Sequence, residues 1–581
     1  MPVRSNLRLT KVALPGAVAA APPALEAVRA LTTKTTIWLW GDQALIDLEA
    51  RSSLVGHNLL GVYDRYGWHH LGPLWLLVLG VFRWLGGGSA AALVFGSCTL
   101  QAVSAAAIVV IAGRLRAGLT GWWAALVLLG YEWSFGPERL GTVWAPYAIA
   151  LPAALLVLLV ARLATGERPW GPAVGVAVCA SFLAQTDIST VVVVLLLVLV
   201  APVLRWVVHN WPSETAGRPG GGSARKRPPP ATRSPGWWGG GNRRRAAVLA
   251  AVLVVLWLPP VIQELTPGTG NLVLVYRFMT SHRSHEGLTA SLKAAGTVFG
   301  SFPFRLGERG ARTDTRPGWL VAGPLWQHLW YLVYLLAMVA ATAVSALRRQ
   351  RTAFVVAAAS GVALVGAGWS VDLVYGRLYP YLVLWAGAFV VPAWVAAWLV
   401  LSPRAPALLG RARSAAARKR RPAGRGRRVP GRWSASWLPF SVVAVSAAIS
   451  VVAVTGPLPM GGKSSVLGHR SWGAVSAAVS APGVRTVYIR MSGADSMPDA
   501  AAIADEVVRH GRRVEVDRAA LYFLDPSFAP GPKAQLDVVV CCGRAGQAPA
   551  PPGMEFRGQV GGQRIFISTP SPTRAEHRLR A

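Results

Sequence analysis

The sequence predicts a mainly α chain, a polytopic helical membrane bundle followed by a small α/β domain, and three observations carry that prediction. Apolar segments near the length of a bilayer crossing recur from the N-terminal region to residue 456. Only 14% of the residues are charged and 53% are hydrophobic, with a mean hydropathy of +0.41, whereas soluble domains carry about 25% charged residues. The net charge of +34 comes from basic residues gathered into runs between the apolar segments, as in the cytoplasmic loops of membrane proteins.

A crossing helix needs about 20 apolar residues. The first candidate, 12–31, contains Glu26, Arg29 and prolines. It reads either as a span or as a cleaved signal with a small-residue site in AVAAA, and both readings leave the loop after it outside. Residues 73–85 are too short to cross, so an interfacial helix is expected there, with Trp75 and Trp84 at headgroup depth. Spans follow at 89–113, 117–134 and 142–163, then at 171–208 as two short ones broken near Gln185, Thr186 and Asp187. The last are 246–264, 324–347, 352–371, 378–401 and 437–456. The total is about eleven.

Placing Arg4, Arg8 and Lys11 inside puts every basic cluster among the spans on one side. These clusters are Arg114 with Arg116, Arg162 with Arg168, 218–245, 348–351 and 404–432. The acidic residues Asp42 to Asp64, Glu138, Asp187, Glu264 and Asp372 fall on the other. The expected protein is therefore a multi-pass plasma-membrane protein with a cytoplasmic N-terminus. Its membrane domain covers 1–456, including a first external loop at 32–86. The loops 209–245 and 402–436 are basic and rich in Gly, Pro and Ser, and are expected to be disordered cytoplasmic segments.

The segment 461–581 changes character and is expected to be an extracytoplasmic α/β domain. VRTVYIRM, RRVEVD, LDVVVCC and QRIFIST read as strands, and DAAAIADEVVRHG as an amphipathic helix. The segment has no Gly-rich phosphate loop after a strand. Basic runs beside spans point to anionic lipid headgroups as partners and away from nucleic acid. Cys98 and Cys179 lie in spans while Cys541 and Cys542 are adjacent, which is neither a disulfide framework nor a spaced metal site. No cofactor is called for.

The chemistry is expected in the first external loop, where a chain poor in carboxylates places Asp42, Asp47, Glu49 and Asp64 together with His57, His69 and His70. Asp42 follows Gly41 directly after the first hydrophobic segment, so it should lie at the membrane surface, where a carboxylate can take a proton from a bound hydroxyl. Asp47 and Arg51 are four apart and can pair along a helix. The other loop carboxylates also read as solvated residues. In RYGWHHLGPLW, His70 can contact a sugar hydroxyl or a phosphate, and Trp68 or Tyr66 can stack on a sugar face; an interfacial aromatic belt is the plainer reading. Adjacent histidines point apart and make a poor metal pair, so no metal site is expected. Arg65, Arg139 and Arg377 are candidates for a phosphate, because guanidinium grips it bidentately. Asp187 lies at the break between two spans, where an ionisable group is costly and so tends to be functional.

GDQALIDLEAR and VYDRYGWHHLGP carry a resemblance to the GT-C superfamily of membrane glycosyltransferases. The likeness is nearest to an actinobacterial polytopic group with GD-x-AL-I-(E/D)-L-x-x-R followed by (P/V)-Y-x-R-x-GW-x-H-x-GP. WLPPVIQELTPGTGN at 257–271 resembles a later motif of that group, W-x-PP-(L/V)-I-(E/Q) before a Gly-Asn loop. Two middle motifs depart: where the group has DPWNPY this chain has TVWAPY, with Thr142 and Ala145, and the His of Q-x-H is Asp187. The likeness covers roughly 35–275. It implies a GT-C-like bundle and an inverting sugar transfer from a polyprenyl-phosphate donor to a cell-envelope glycan or lipid outside the membrane, with Asp42 as base. The alternatives are a transporter or flippase of a lipid-linked envelope precursor, or a non-catalytic scaffold of the same fold. Transporters place polar residues at the bilayer midplane in paired repeats, and neither feature is evident here.

Overall fold

The computed structural model describes residues 3–568, except for a few short stretches and for 212–239, 305–318, 403–436, 456–472 and 542–553. Most of the two basic loops thus lies outside the described residues. The exception corrects an expectation. Arg243, Arg244 and Arg245 belong to a helix that begins at Gly240, because near lipid a helix is the cheapest way to satisfy backbone amides while arginines reach for headgroups.

The membrane part begins with α1 (Val3–Thr32), α2 (Asp42–Leu54) and a minimal hairpin of β1 (Tyr63–Asp64) and β2 (Trp68–His69). The helices α3 (Leu74–Leu85), α4 (Ala90–Leu115), α5 (Thr120–Phe135), α6 (Ala150–Thr165), α7 (Trp170–Thr186) and α8 (Val191–His209) follow. The bundle is completed by α9 (Gly240–Leu265), α10 (Asn271–Thr280), α11 (Leu288–Gly300), α12 (Trp330–Leu347), α13 (Arg351–Asp372), α14 (Val390–Leu401) and α15 (Trp437–Thr455). Among the described residues, eight helices are long and apolar enough to cross a membrane. The other expected spans, 12–31, 117–134 and the first half of 171–208, are shorter or less apolar, yet they pack into the same bundle: α1 on α4 and α15, α5 on α14 and α15, and α7 on α6 and α9.

Asp187 makes the break between α7 and α8. Its backbone is extended, with φ −151°, and its side chain caps the next turn by accepting from the Ser189 N–H at 2.9 Å. The expected helix over 378–401 is also interrupted. Pro380 supplies no N–H, and the chain runs through 3-10 turns at Pro380–Leu382 and Leu384–Phe389 before α14 starts. The interfacial reading of 73–85 is half corrected. Trp84 is exposed, but Trp75 is fully buried, and its indole donates to the Val143 carbonyl at 2.9 Å. That hydrogen bond lets an indole sit in the core, and α3 is a packing helix between α2, α4 and α9's neighbour α7.

The bundle is buried most completely along α6, α13 and α14, whereas α9 turns Val254, Val255, Leu258, Val261 and Ile262 outward. Such an apolar outer face suits lipid and not water. The chain's polar turns collect at its two ends. Arg116 bonds Ser402, Arg205 bonds the Leu163 carbonyl, and Arg351 bonds the Trp211 carbonyl at one end. The loops carrying Asp42, Trp144, Asp187 and Tyr381 meet at the other.

The C-terminal part is a five-stranded sheet with the order β4-β3-β5-β7-β6. Its strands are β3 (Thr486–Ser492), β4 (Arg513–Val516), β5 (Leu536–Cys541), β6 (Glu555–Val560) and β7 (Gln563–Ser568), with β3 parallel to β4 and β5 and with β7 antiparallel to β5 and β6. The helix α16 (Met497–Arg509) joins β3 to β4 and packs on α2 of the membrane part. The edge strand β6 was not expected, although the Gly561-Gly562 pair between it and β7 is a hairpin signal in the sequence.

Gly72 and Pro73 turn the chain from β2 into α3 against the Gln185 side chain. A Cβ on Gly72 would lie 2.2 Å from Gln185 Oε1, and that side chain is tethered by donation to the Leu256 carbonyl at 2.8 Å. Gly72→Ala should therefore cost about 1–3 kcal/mol through overpacking. A lowered thermal midpoint of the purified protein would register it, and adding Gln185→Ala should restore part of the loss.

Candidate active site at the Asp42 end of the bundle

Gly41 has φ +58°, which glycine adopts without the usual Cβ penalty, and its N–H donates to the Pro498 carbonyl at 3.2 Å. The sharp turn starts α2 at Asp42 and leaves that carboxylate at the helix N-terminus, where the macrodipole favours negative charge. Asp42 is accessible to solvent but crowded by protein on its other sides. Lost hydration raises its pKa above the ordinary aspartate value, and nearby Asp64 adds to this. A hydrogen bond from Trp144 and the charge of Arg65 oppose it.

The sequence VYDRYGWHH folds as the β1–β2 hairpin because Asp64 Oδ1 accepts from the Tyr66 N–H at 2.9 Å and Gly67 takes φ +87°. Asp64, Arg65 and Tyr66 stand at its tip. The exposed Arg65 guanidinium lies 5.0 Å from the Tyr66 ring centroid and 5.3 Å from that of Tyr379, and it bonds Tyr66 Oη at 3.2 Å. Two aromatic faces thus hold one cation in place. Tyr379 stacks on Tyr381, which in turn packs on Trp144 at 4.6 Å between ring centroids. Burial raises the Asp64 pKa, with His70, the Tyr66 N–H and Arg65 opposing and Asp187 adding to it.

His70 joins the cluster from the hairpin base. Its Nδ1 accepts from the Ile188 N–H at 3.1 Å, so the ring proton is on Nε2. His69 turns the other way and places Nδ1 3.0 Å from the Gly61 carbonyl, so the two rings diverge. His69 Nδ1 and Glu49 Oε1 are 3.8 Å apart, yet this is no ion pair. Burial pushes His69 down to about 4 and raises Glu49 well above the usual carboxylate range, so both favour their neutral forms.

The remaining expected residues fare differently. Asp187 is buried beside Asp64 with its carboxylate engaged as the helix cap. Trp68 is only 3% exposed and packs edge-on to His70 and against Phe278, so it has no free face for a sugar. Its place in the hairpin base buries it, whereas Tyr66 at the tip stays half-open. Arg139 is buried as well, with Nη1 donating to the Phe135 carbonyl at 2.6 Å. Arg377 is exposed beside Gly376, which approaches Tyr66 Oη. Asp47 does not pair with Arg51: Arg83 and Arg509 take its two oxygens instead, and Arg51 is exposed. Trp144, Tyr379 and Tyr381 were missed by sequence reasoning; the aromatic run YGRLYPYL and the TVWAPY motif were the available signals.

No family model matches the chain, and no curated protein matches it in sequence. Among solved structures it is similar to ArnT from Cupriavidus metallidurans bound to undecaprenyl phosphate, with a TM-score of 0.53 and 14% identity over 96% of this chain and 99% of that one. It is also similar to ArnT from the same source in the apo state, with a TM-score of 0.50 and 14% identity over 94% and 97%. At that identity the likeness is one of fold: the chain shares the overall architecture of ArnT.

The neutral His69 ring makes a stability prediction. Unfolded histidine titrates near 6.5, so between about 6.5 and about 4 the unfolded chain binds a proton that the folded chain refuses. Stability from this group is present above pH 6.5 and is lost as pH falls through that window. Thermal midpoints of wild type relative to His69→Gln should fall on acidification from pH 6.5 to 4; a pH-independent difference would contradict the neutral buried ring.

Proposed function

We propose that this protein is a membrane glycosyltransferase that moves a sugar from a polyprenyl-phosphate carrier to a hydroxyl of a cell-envelope glycan or lipid on the external side, with Asp42 as base. One observation carries the reading: a solvent-accessible carboxylate of raised pKa and a guanidinium held between two aromatic rings lie close enough to interact at the polar end of a GT-C-like bundle. Bases work best when their pKa approaches the working pH, and a carboxylate needs such an environment to get there. A further support is that the structural neighbour ArnT was crystallised with undecaprenyl phosphate.

The chemistry follows from these placements. The acceptor oxygen attacks the anomeric carbon while Asp42 takes its proton. The bond from that carbon to the carrier phosphate breaks, its electron pair stays on the phosphate oxygen, and the sugar configuration inverts. Arg65 receives the growing phosphate charge, held between Tyr66 and Tyr379 so that little reorganisation is needed. His70 offers Nε2–H as a donor to a sugar or phosphate oxygen. Tyr66, half-open at the hairpin tip and packed between Arg65 and Phe278, borders the site with its ring edge and hydroxyl. Asp187 holds the 188–190 turn that orients His70, and Arg377 stands at the rim. The external placement rests on the separation of basic from acidic loops, since the Asp42 end is the one opposite Arg116, Arg205 and Arg351.

Asp42→Asn should lower transfer from a labelled polyprenyl-phosphate sugar in membranes by about 10²–10⁴-fold at normal protein abundance. The wild-type rate should fall on the acid side at a higher pH than an ordinary aspartate near 3.9 would dictate. Unchanged transfer with altered export of a lipid-linked precursor would instead identify a flippase. Loss of neither would leave a scaffold.

A further inference from the structure

We propose that helix α16 of the C-terminal domain is a positioning device for Asp42, gripping α2 at its start and again one and a half turns further on, with Arg509 and Asp499 as the positioning residues. The inference rests on Asp42 being the base.

The grip at the start is formed by two bonds that flank Asp42 directly. The Gly41 N–H donates to the Pro498 carbonyl at 3.2 Å, and the Trp40 indole donates to Asp499 Oδ1 at 2.7 Å. The second grip is ionic. Asp47 is 0% exposed, with Oδ1 2.5 Å from Arg83 Nε and Oδ2 3.0 Å from Arg509 Nη2. Arg509 Nε lies 2.9 Å from Asp505, also buried, so the pair of carboxylates and the pair of guanidinium groups close into one cluster across the domain boundary. Arg83 belongs to α3 and Arg509 to α16, so Asp47 ties α2 to the bundle on one side and to the C-terminal domain on the other.

A cluster of this kind is costly to break from one side, because the remaining charge stays buried without its partner. It is also directional, since guanidinium fixes both distance and plane at a carboxylate. A helix held at Gly41 and at Asp47 cannot rotate or slide, and Asp42 lies between the two holds. The device makes no contact with the reacting atoms, so its effect is on geometry. A misplacement of about 1 Å costs on the order of 10²-fold in rate.

The test uses the full-length protein in membranes. Arg509→Ala and Trp40→Phe should each lower kcat by about 10–100-fold with the KM for the polyprenyl-phosphate sugar changed by less than about twofold, and Arg509→Lys should recover part of the loss of Arg509→Ala. The acid limb of the pH–rate profile should move towards lower pH as a loosened Asp42 becomes better hydrated. The charged and titratable groups facing Asp42 are Asp64 and Arg65 from the hairpin, Tyr381 from the loop before α14 and Glu49 from its own helix. None of these is substituted in either variant, so a displaced limb reports the changed setting of Asp42 among them. Trp40→Phe keeps the ring and removes no charge, taking only one donor from the buried Asp499 carboxylate, and so keeps the test open if Arg509→Ala fails to fold.

Unchanged kcat and an unmoved acid limb in folded Trp40→Phe, beside an inactive Asp42→Asn, would overturn the positioning role and leave the base in place. A fully active Asp42→Asn would remove both.

Discussion

The site depends on how a hairpin of only two residues per strand is kept in place. So short a ribbon has no stability of its own, and here side chains from elsewhere complete its hydrogen bonding. The Asn271 amide both accepts from the His69 N–H and donates to the His69 carbonyl, at 2.8 Å each, as a neighbouring strand would. On the other side, the Ile188 N–H donates to His70. The hairpin is thereby pinned between the start of α10 and the break after α7. Arg65, Asp64 and Tyr66 at its tip inherit a position set by segments more than a hundred residues away.

That geometry gives two carboxylates of one helix opposite characters. Burial alone would raise both. At Asp47 the charges of Arg509 and Arg83 prevail and hold the group below the usual aspartate range, with its partner Asp505 raised by burial and by the Asp47 charge. At Asp42, which solvent still reaches, the Trp144 hydrogen bond and the charge of Arg65 do not offset the hydration lost to surrounding protein, and the group is raised. Five residues of the same chain thus separate an anchor from a group able to take a proton. Enzymes commonly sort structural from reactive carboxylates in this way.

The membrane explains why irregular backbone and charge coincide. Amides in hydrocarbon must be bonded within the chain, so helices fill the middle. The broken or turning segments, the hairpin, the 142–148 turns, the 187–190 turn and the 3-10 stretch at 380–389, lie at or near one end. These segments bring together Asp42, Asp64, Arg65, His70, Trp144 and Tyr381. The C-terminal sheet domain packs at the same end through α16 and α2.

Much of this was legible in the sequence, because lipid reads composition directly. Most crossing helices, the break at Gln185 to Asp187 and four of the five C-terminal strands follow from hydropathy, periodicity and turn residues. Asp42 and the YDRYGWHH stretch stood out because carboxylates and histidines are rare in this chain. Pairing was not legible. Sequence spacing offered Arg51 to Asp47, but a helix neighbour is only one of many cations, and packing brought Arg83 and Arg509 closer. Burial of Trp75, Trp68 and Arg139 was also decided by tertiary contacts, since an aromatic or basic residue near a span end has the same sequence signature at an interface as in a core. Local composition determined what kind of surface each segment needs; which distant segment supplies it was settled only when the helices packed.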